Sequence, residues 1–233
     1  EMMDNFSINA VEDVVATDCY PRDAAAILLI EIDGLPAEVA ATGERIQQLC
    51  RQNGSRSITV ATDPEDRLRL WKGRKAAFAA MGKLSPDYYV QDGVIPRTQL
   101  PYVLREIEAL GERHGYRVAN VFHAGDGNLH PLILYNNSVP GQLEEVEELG
   151  GDILKLCVQV GGSISGEHGI GADKRCYMPT MFTPTDLETM GWVRQVFNPD
   201  GLANPTKLFP TPRTCGEAAR SQAVQAFPDV ERF

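Results

Sequence analysis

The chain has 233 residues, 43% of them hydrophobic and 23% charged, a balance that suits a globular protein able to bury a sizeable core. Its 22 basic and 32 acidic side chains leave a formal net charge of −10, which repels phosphate backbones and argues against nucleic acid as the main partner. No segment approaches the ~20 consecutive apolar residues of a membrane span, and the acidic opening EMMDNFSINAVEDVV lacks the basic start and apolar block of a secretory signal.

Ala26–Asp33 (AILLIEID) is a nearly continuous apolar run closed by Gly34, the pattern of a strand covered on both faces. A helix follows, with Pro36 in its first turn, Val39, Ile46 and Leu49 on one face, and Gly54 as its stop. Ser57–Thr62 alternates like a strand, and Asp63-Pro64 caps a second helix running to about Gly82. Tyr88–Ile95 reads as a strand broken or bulged at Gly93. The helix from Thr98 to His114 turns Val103, Ile107 and Leu110 inward and ends at Gly115.

Arg117–His123 and Leu129–Tyr135 are strands joined by a very short turn. Gly141–Val160 is a helix with Val146, Leu149, Ile153 and Leu156 on one stripe. A glycine-rich segment, Gly161–Gly171, precedes a last helix from Thr183-Pro184, with Leu187, Met190, Val193 and Phe197 expected inside. Alternating elements with one tight hairpin predict an α+β fold, a mainly antiparallel sheet covered by helices. The tail, residues 211–233, is polar and without periodicity. Five scattered cysteines with no CxxC pair predict reduced thiols in a cytoplasmic setting.

The segment VFHAGDGNLHPLILY carries the most chemistry. Asp126-Gly127 suits a two-residue type I′ turn, which would set His123 directly opposite His130, with Asn128 on their face. Two imidazoles so placed grip one ion; the competing reading is a hairpin whose histidines merely pack. In GGSISGEHGIGADK, Glu167 and His168 stand between glycines. A carboxylate beside an imidazole supplies either a third ligand plus a base or an orienting pair for proton transfer. Such ligands suit zinc, manganese or iron(II) without choosing among them. The same loop lacks the GxxxxGK[ST] order of a phosphate cradle. Arg74 shares a helical face with Leu70, Ala77 and Met81, so it faces partly inward and needs an anion, either a bound carboxylate or an acidic side chain. His114, in the last turn of its helix, is structural.

HAGDGNLHP, SGEHGIGADKR and NPDGLANPTKLFP, in this order and at these separations, resemble the carboxyl-terminal domain of FAD-linked oxidases of the vanillyl-alcohol-oxidase type. SPDYYVQDGVIPRTQLP and MMDNFSINAVED are similar to the glycolate oxidase branch of that family, whose kin are flavin-dependent D-lactate and D-2-hydroxyglutarate dehydrogenases. The resemblance covers the chain to about Pro210. It implies ferredoxin-like α+β units forming a cap over the flavin, and an amino-terminal FAD-binding domain that this sequence lacks. It also implies metal ligation at His123, His130 and Glu167, a base at His168, substrate contacts at Asn128 and Arg74, and a return towards the flavin around Asn204–Lys207. D-2-hydroxyglutarate enzymes resemble this pattern with a lysine at the position of Val90 and a threonine at that of Phe78. Their replacement here implies a small monocarboxylic substrate, glycolate or D-lactate.

The resemblance therefore implies the substrate domain of a flavin enzyme that oxidises a small 2-hydroxy acid to the 2-oxo acid. Partner subunits, one with iron–sulfur clusters, near the inner face of a membrane are part of the same implication. Two other classes compete: a non-catalytic metal- or carboxylate-binding module or regulatory subunit, and a metal-dependent hydrolase.

Overall fold

The structure is a computed structural model that describes residues 1–16 and 18–210; the tail expected after Pro210 lies outside the described residues. The chain forms two compact units, the first Glu1–Ala80 and the second starting at Met81.

In the first unit, β1 (Met2–Asp4) runs straight into α1 (Asn5–Val15), because the Asp4 carboxylate accepts the Ser7 N–H at 2.8 Å and caps the helix. β1 pairs antiparallel with β2 (Ala26–Leu28), Met3 opposite Ile27. Met3, Ile8 and Val11 are buried. Two helices follow, α2 (Pro36–Gln52) and α3 (Pro64–Leu84). Tyr20 lies over Gly73, where a Cβ would collide with its ring, and donates its hydroxyl to the Leu70 carbonyl. Three expectations are corrected in this unit. The strand at Ala26–Asp33 shrinks to three residues, with Leu28 and Ile30 exposed. Ser57–Thr62 is irregular and exposed, since alternation makes no strand without a neighbour to take its backbone hydrogen bonds. α2 buries none of its residues.

In the second unit, β3 (Asp87–Val90) and β5 (Val118–Phe122) flank β7 (Pro131–Tyr135), both antiparallel to it. α4 (Leu100–His114) connects β3 to β5, and α5 (Gln142–Gln159) follows β7. Strand β4 (Gly93–Val94) prolongs β3 beyond a break and pairs with β6 (Asn128–Leu129), while Ser163, after α5, bridges antiparallel to Val94. The order first–third–second strand, with a remnant of a fourth beside the first, is that of a ferredoxin-like β-α-β-β-α-β unit. The stripes Val103/Ile107/Leu110 of α4 and Val146/Leu149/Ile153/Leu156 of α5 are buried, as their spacing predicts. Gly115 closes α4 at φ +77° with its N–H on the Glu112 carbonyl.

A second cluster, Leu154, Ile164 and Met178, gathers Leu187 and Met190 from α7 (Pro184–Phe197) and Tyr177 beside the short helix α6 (Met178–Met181). Beyond Met190 α7 outruns that cluster. Val193 and Phe197 are therefore exposed, Phe197 by 85%, against the expectation of burial. Among the described residues, Cys19, Cys50 and Cys157 are free thiols.

Candidate functional site

β3 with β7 and β4 with β6 share one register: Val90 faces Leu132, Gly93 faces Leu129 and Val94 faces Asn128. Counting inward sets Asp92 opposite His130, at the break between the two ladders. Opposed residues point to the same side and alternate along a strand, so Asp92, Val94, Asn128 and His130 share a face. His123 joins them from just past the end of β5: it bridges Asn128, and its N–H donates to the Asn128 carbonyl at 3.1 Å.

The hairpin is not the two-residue turn expected. His123 opposes Asn128 rather than His130, across a four-residue loop in which the N–H groups of Asp126 and Gly127 both donate to the His123 carbonyl at 3.1 Å. A type I′ turn needs positive φ at two residues, and here only Gly127 has it (φ +74°). Gly127 is pinned against Ile95, whose N–H donates to the Gly127 carbonyl at 2.9 Å; a side chain there would strike the Ile95 carbonyl. The shift in register is two residues. An even shift preserves the face, so both imidazoles still point the same way. Their ring centroids are 5.2 Å apart at 83°.

The glycine-rich segment brings the carboxylate. Its backbone wraps around Asp92, which has no exposed surface. Asp92 Oδ2 accepts the N–H of Gly166 at 3.0 Å and of His168 at 2.9 Å, the Ser165 hydroxyl at 2.8 Å and the Lys174 ammonium at 3.2 Å; the Glu167 N–H also points at it. Burial alone would push the Asp92 carboxyl up. The His168 N–H, the Ser165 hydroxyl, the Lys174 charge and the Glu167 N–H outweigh it and hold the group well below the usual carboxylate range. Burial pulls the Lys174 ammonium down, opposed by Asp92. Gly166 passes so close to the Asn128 side chain that any Cβ would overlap it.

With the loop so held, Glu167 Oε1 lies 2.8 Å from His130 Nε2, 3.6 Å from His123 Nε2 and 3.8 Å from His168 Nε2. His168 stacks on His130, centroids 5.1 Å apart. Burial lowers the His130 pKa and so favours the neutral ring, against the opposing pull of the Glu167 charge. The donor atoms of His123, His130 and Glu167 lie within 4.8 Å of one another. Ligands ~2.0–2.1 Å from a common ion stand ~3.0–3.4 Å apart, near the spacings from Glu167 to the two rings. Asp92, His130 and His168 form a second close triple, but the Asp92 oxygens are already taken by N–H donors. Among the described residues, the buried Asn128 Oδ1 and His130 Nδ1 have no hydrogen-bond partner, and buried polar atoms are ordinarily paired. A cleft of about 340 Å³ opens here, lined by Val94, His123, Asp126, Asn128, Gly166 and Glu167. It has room for a small organic acid beside an ion.

The structure thus brings together five of the seven expected site residues: His123, His130, Glu167, His168 and Asn128. Arg74 belongs to the first unit, where its Nε and Nη2 both meet Glu1 Oε2, at 3.0 and 2.9 Å. Asn204 sits at φ +46° in an exposed loop of the second unit, its carbonyl held by Arg194 at 2.9 Å, and does not line the cleft. His114 lies 3.5 Å from Asp152 at the end of α4, a structural placement. Asp92 and Lys174 escaped the motif reading. The register would have exposed Asp92, since it faces His130 on the strand expected to break.

The fold is thus an α+β unit of ferredoxin-like order that carries a His–His–carboxylate cluster at a cleft. The chain belongs to the family of FAD linked oxidases, C-terminal domain, which it matches over residues 1–208. It is 49% identical over 236 residues to the glycolate oxidase subunit GlcD of Escherichia coli (strain K12), spanning 100% of this chain and 47% of that protein. The GlcD of Bacillus subtilis (strain 168) is 29% identical, over 90% of this chain and 44% of its own length. The mitochondrial D-lactate dehydrogenase (cytochrome) of Arabidopsis thaliana is 26% identical, over 92% and 38%. The chain spans about half the length, or less, of these curated relatives. Among solved structures, 4-ethylphenol oxidase from Gulosibacter chungangensis in its isoeugenol complex superposes with a TM-score of 0.56 at 13% identity, over 93% of this chain and 47% of that one. That likeness concerns the fold.

Proposed function

We propose that this chain is the substrate domain of a flavin-dependent oxidoreductase that oxidises a small 2-hydroxy acid, glycolate or D-lactate, to the 2-oxo acid. The observation that carries the reading is the convergence of His130, His123 and His168 on one oxygen of Glu167, at 2.8, 3.6 and 3.8 Å, beside the cleft. The names of the relatives, glycolate oxidase and D-lactate dehydrogenase, supply the substrate class.

His123, His130 and Glu167 are assigned to hold a divalent ion, zinc, manganese or iron(II), and Asn128 to contact substrate with its unpartnered oxygen. When bound, the ion lowers the pKa of the substrate hydroxyl and FAD accepts two electrons as hydride. His168 is the base that takes the hydroxyl proton at Nε2. Arg74 is assigned the substrate carboxylate, since its guanidinium already holds the carboxylate of Glu1 through two nitrogens. Asn204 is assigned to the flavin side. The N–H groups of Gly166–His168 are already engaged by Asp92, so they offer no cradle for the FAD diphosphate. We assign that role to the portion of the relatives outside this chain. Partner subunits, one carrying iron–sulfur clusters, and a cytoplasmic site near a membrane complete the reading; that the GlcD relatives are named as subunits supports the former. No described helix is long and apolar enough to cross a membrane.

The test is His168→Asn in the intact flavoprotein. Anaerobic mixing with glycolate should show flavin reduction slowed by about 10²–10⁴-fold, with the substrate concentration for half-saturation little changed. Reduction at the parent rate removes His168 from the role of base.

A further inference from the structure

Glu167 and His168 lie on a loop, where side-chain aim is poorly determined unless the backbone is tied down. The protein ties it with a single buried carboxylate. Consecutive N–H groups of Gly166, Glu167 and His168 all point at Asp92, and the Ser165 hydroxyl adds a fourth donor. Lys174, itself buried, closes the far side: its ammonium reaches Asp92 Oδ2 at 3.2 Å and the Asp92 carbonyl at 3.1 Å. Ser165 Oγ meanwhile accepts the Gly169 N–H at 2.8 Å, so the turn is held on both sides of Glu167–His168. Asp92 stands opposite His130 at the break between β3 and β4, and the same carboxylate therefore fixes the loop relative to the hairpin that carries His123 and His130.

We propose that Asp92, supported by Lys174, is a positioning residue. It clamps loop Ser165–His168 onto the paired strands β4 and β6 so that Glu167 and His168 face His130 at working distance. Asp92 touches neither ion nor substrate and acts through the loop backbone; the consequence for ion binding rests on the proposed metal role of Glu167. Asparagine is nearly isosteric at this position. However, it carries an amide nitrogen where every neighbour is a donor, so one of its two heavy atoms must face N–H groups or the Lys174 ammonium unfavourably.

The experiment compares Asp92→Asn, Glu167→Gln and the double variant with the parent in the intact protein. Two quantities are read: amide hydrogen exchange of residues 165–169 without added metal, and Zn²⁺ affinity by competition with a chromophoric chelator. Asp92→Asn should speed exchange in the loop while residues 118–135 stay protected, and weaken Zn²⁺ binding by about 10–100-fold, the range for lost outer-shell partners. Added to Glu167→Gln, it should cost little further affinity, because both act through one side chain. Parent-like exchange in the loop overturns the proposal, and so does exchange raised equally throughout the second unit, which marks a general structural role. If Asp92→Asn does not fold, Ser165→Ala removes one donor to Asp92 and the acceptor for Gly169, and should show the same pattern at smaller size; its failure to do so is equally adverse. Parent affinity in Glu167→Gln would remove the ion assignment, while the exchange data would still decide the clamp.

Discussion

The two units use the same kinds of residue to different ends. The first has exposed Leu28, Ile30, Leu35 and Leu68, a helix α2 with no buried residue, and ion pairs such as Arg22–Asp13 and Arg56–Asp23 whose partners are at least half exposed. The second holds most of the large, fully buried side chains, among them Phe122, Ile107, Leu132, Ile133, Leu149 and Ile153. One of its ion pairs, Asp92–Lys174, is buried more deeply than any pair of the first unit, the part-buried Arg74–Glu1 included. The described residues that meet Glu167 stand on the second unit, at strand ends or in a loop backed by that core. Side chains needed within a fraction of an ångström of one another sit best where packing removes their alternatives.

The contrast is broken most strongly at the ion pairs. Lys174→Met leaves the Asp92 charge buried with backbone donors and the Ser165 hydroxyl alone, and should destabilise the second unit by about 3–5 kcal/mol in urea unfolding. Arg22→Met, at a surface pair, should leave the midpoint where it is. Core truncation sharpens the same difference: Leu149→Ala should cost about 2–5 kcal/mol, and Leu68→Ala, 66% exposed in the first unit, no more than about 0.5 kcal/mol. Equal losses at the two leucines would mean that the first unit hides a core the fold does not show.

The smallest effect is kinetic. Burial pushes the Cys157 thiol up from 9.0 to about 12, so at pH 8 it remains protonated as well as shielded. A thiol reagent such as 5,5′-dithiobis(2-nitrobenzoic acid) should modify the half-exposed Cys19 and Cys50 first. Cys157 should react only as the second unit opens. Reaction of all three at one rate would contradict the burial of α5.

Much of the second unit is legible because its signals are local and agree. The stripes of α4 and α5 and the stop at Gly115 follow from periodicity and glycine placement, while the break expected at Gly93 falls instead just before it, at Gln91 and Asp92. The hairpin shows the limit. Asp126-Gly127 is a sound two-residue turn on its own, but Gly127 is needed against Ile95, a contact no local rule contains. The two imidazoles share a face regardless, because the register slips by two residues rather than one. Ser57–Thr62 fails for the converse reason: its alternation is strand-like, yet none of the described residues pairs with it. At α7 the apolar face continues past the cluster available to cover it, which composition does not reveal.

By itself the sequence determined the α+β class, the limits of α2, α4 and α5 and the residue types of a His–His–carboxylate cluster, since these depend on side-chain period, capping and chemistry within a few positions of the chain, whereas α1 and α6 carried no signal that was read. Tertiary structure alone decided the register of the hairpin, the closeness of Glu167 to three rings, and the use of Asp92, 73 to 76 residues away from the loop it holds. Those outcomes depend on which donors find an acceptor once water is excluded. That competition is settled only between segments brought together by folding.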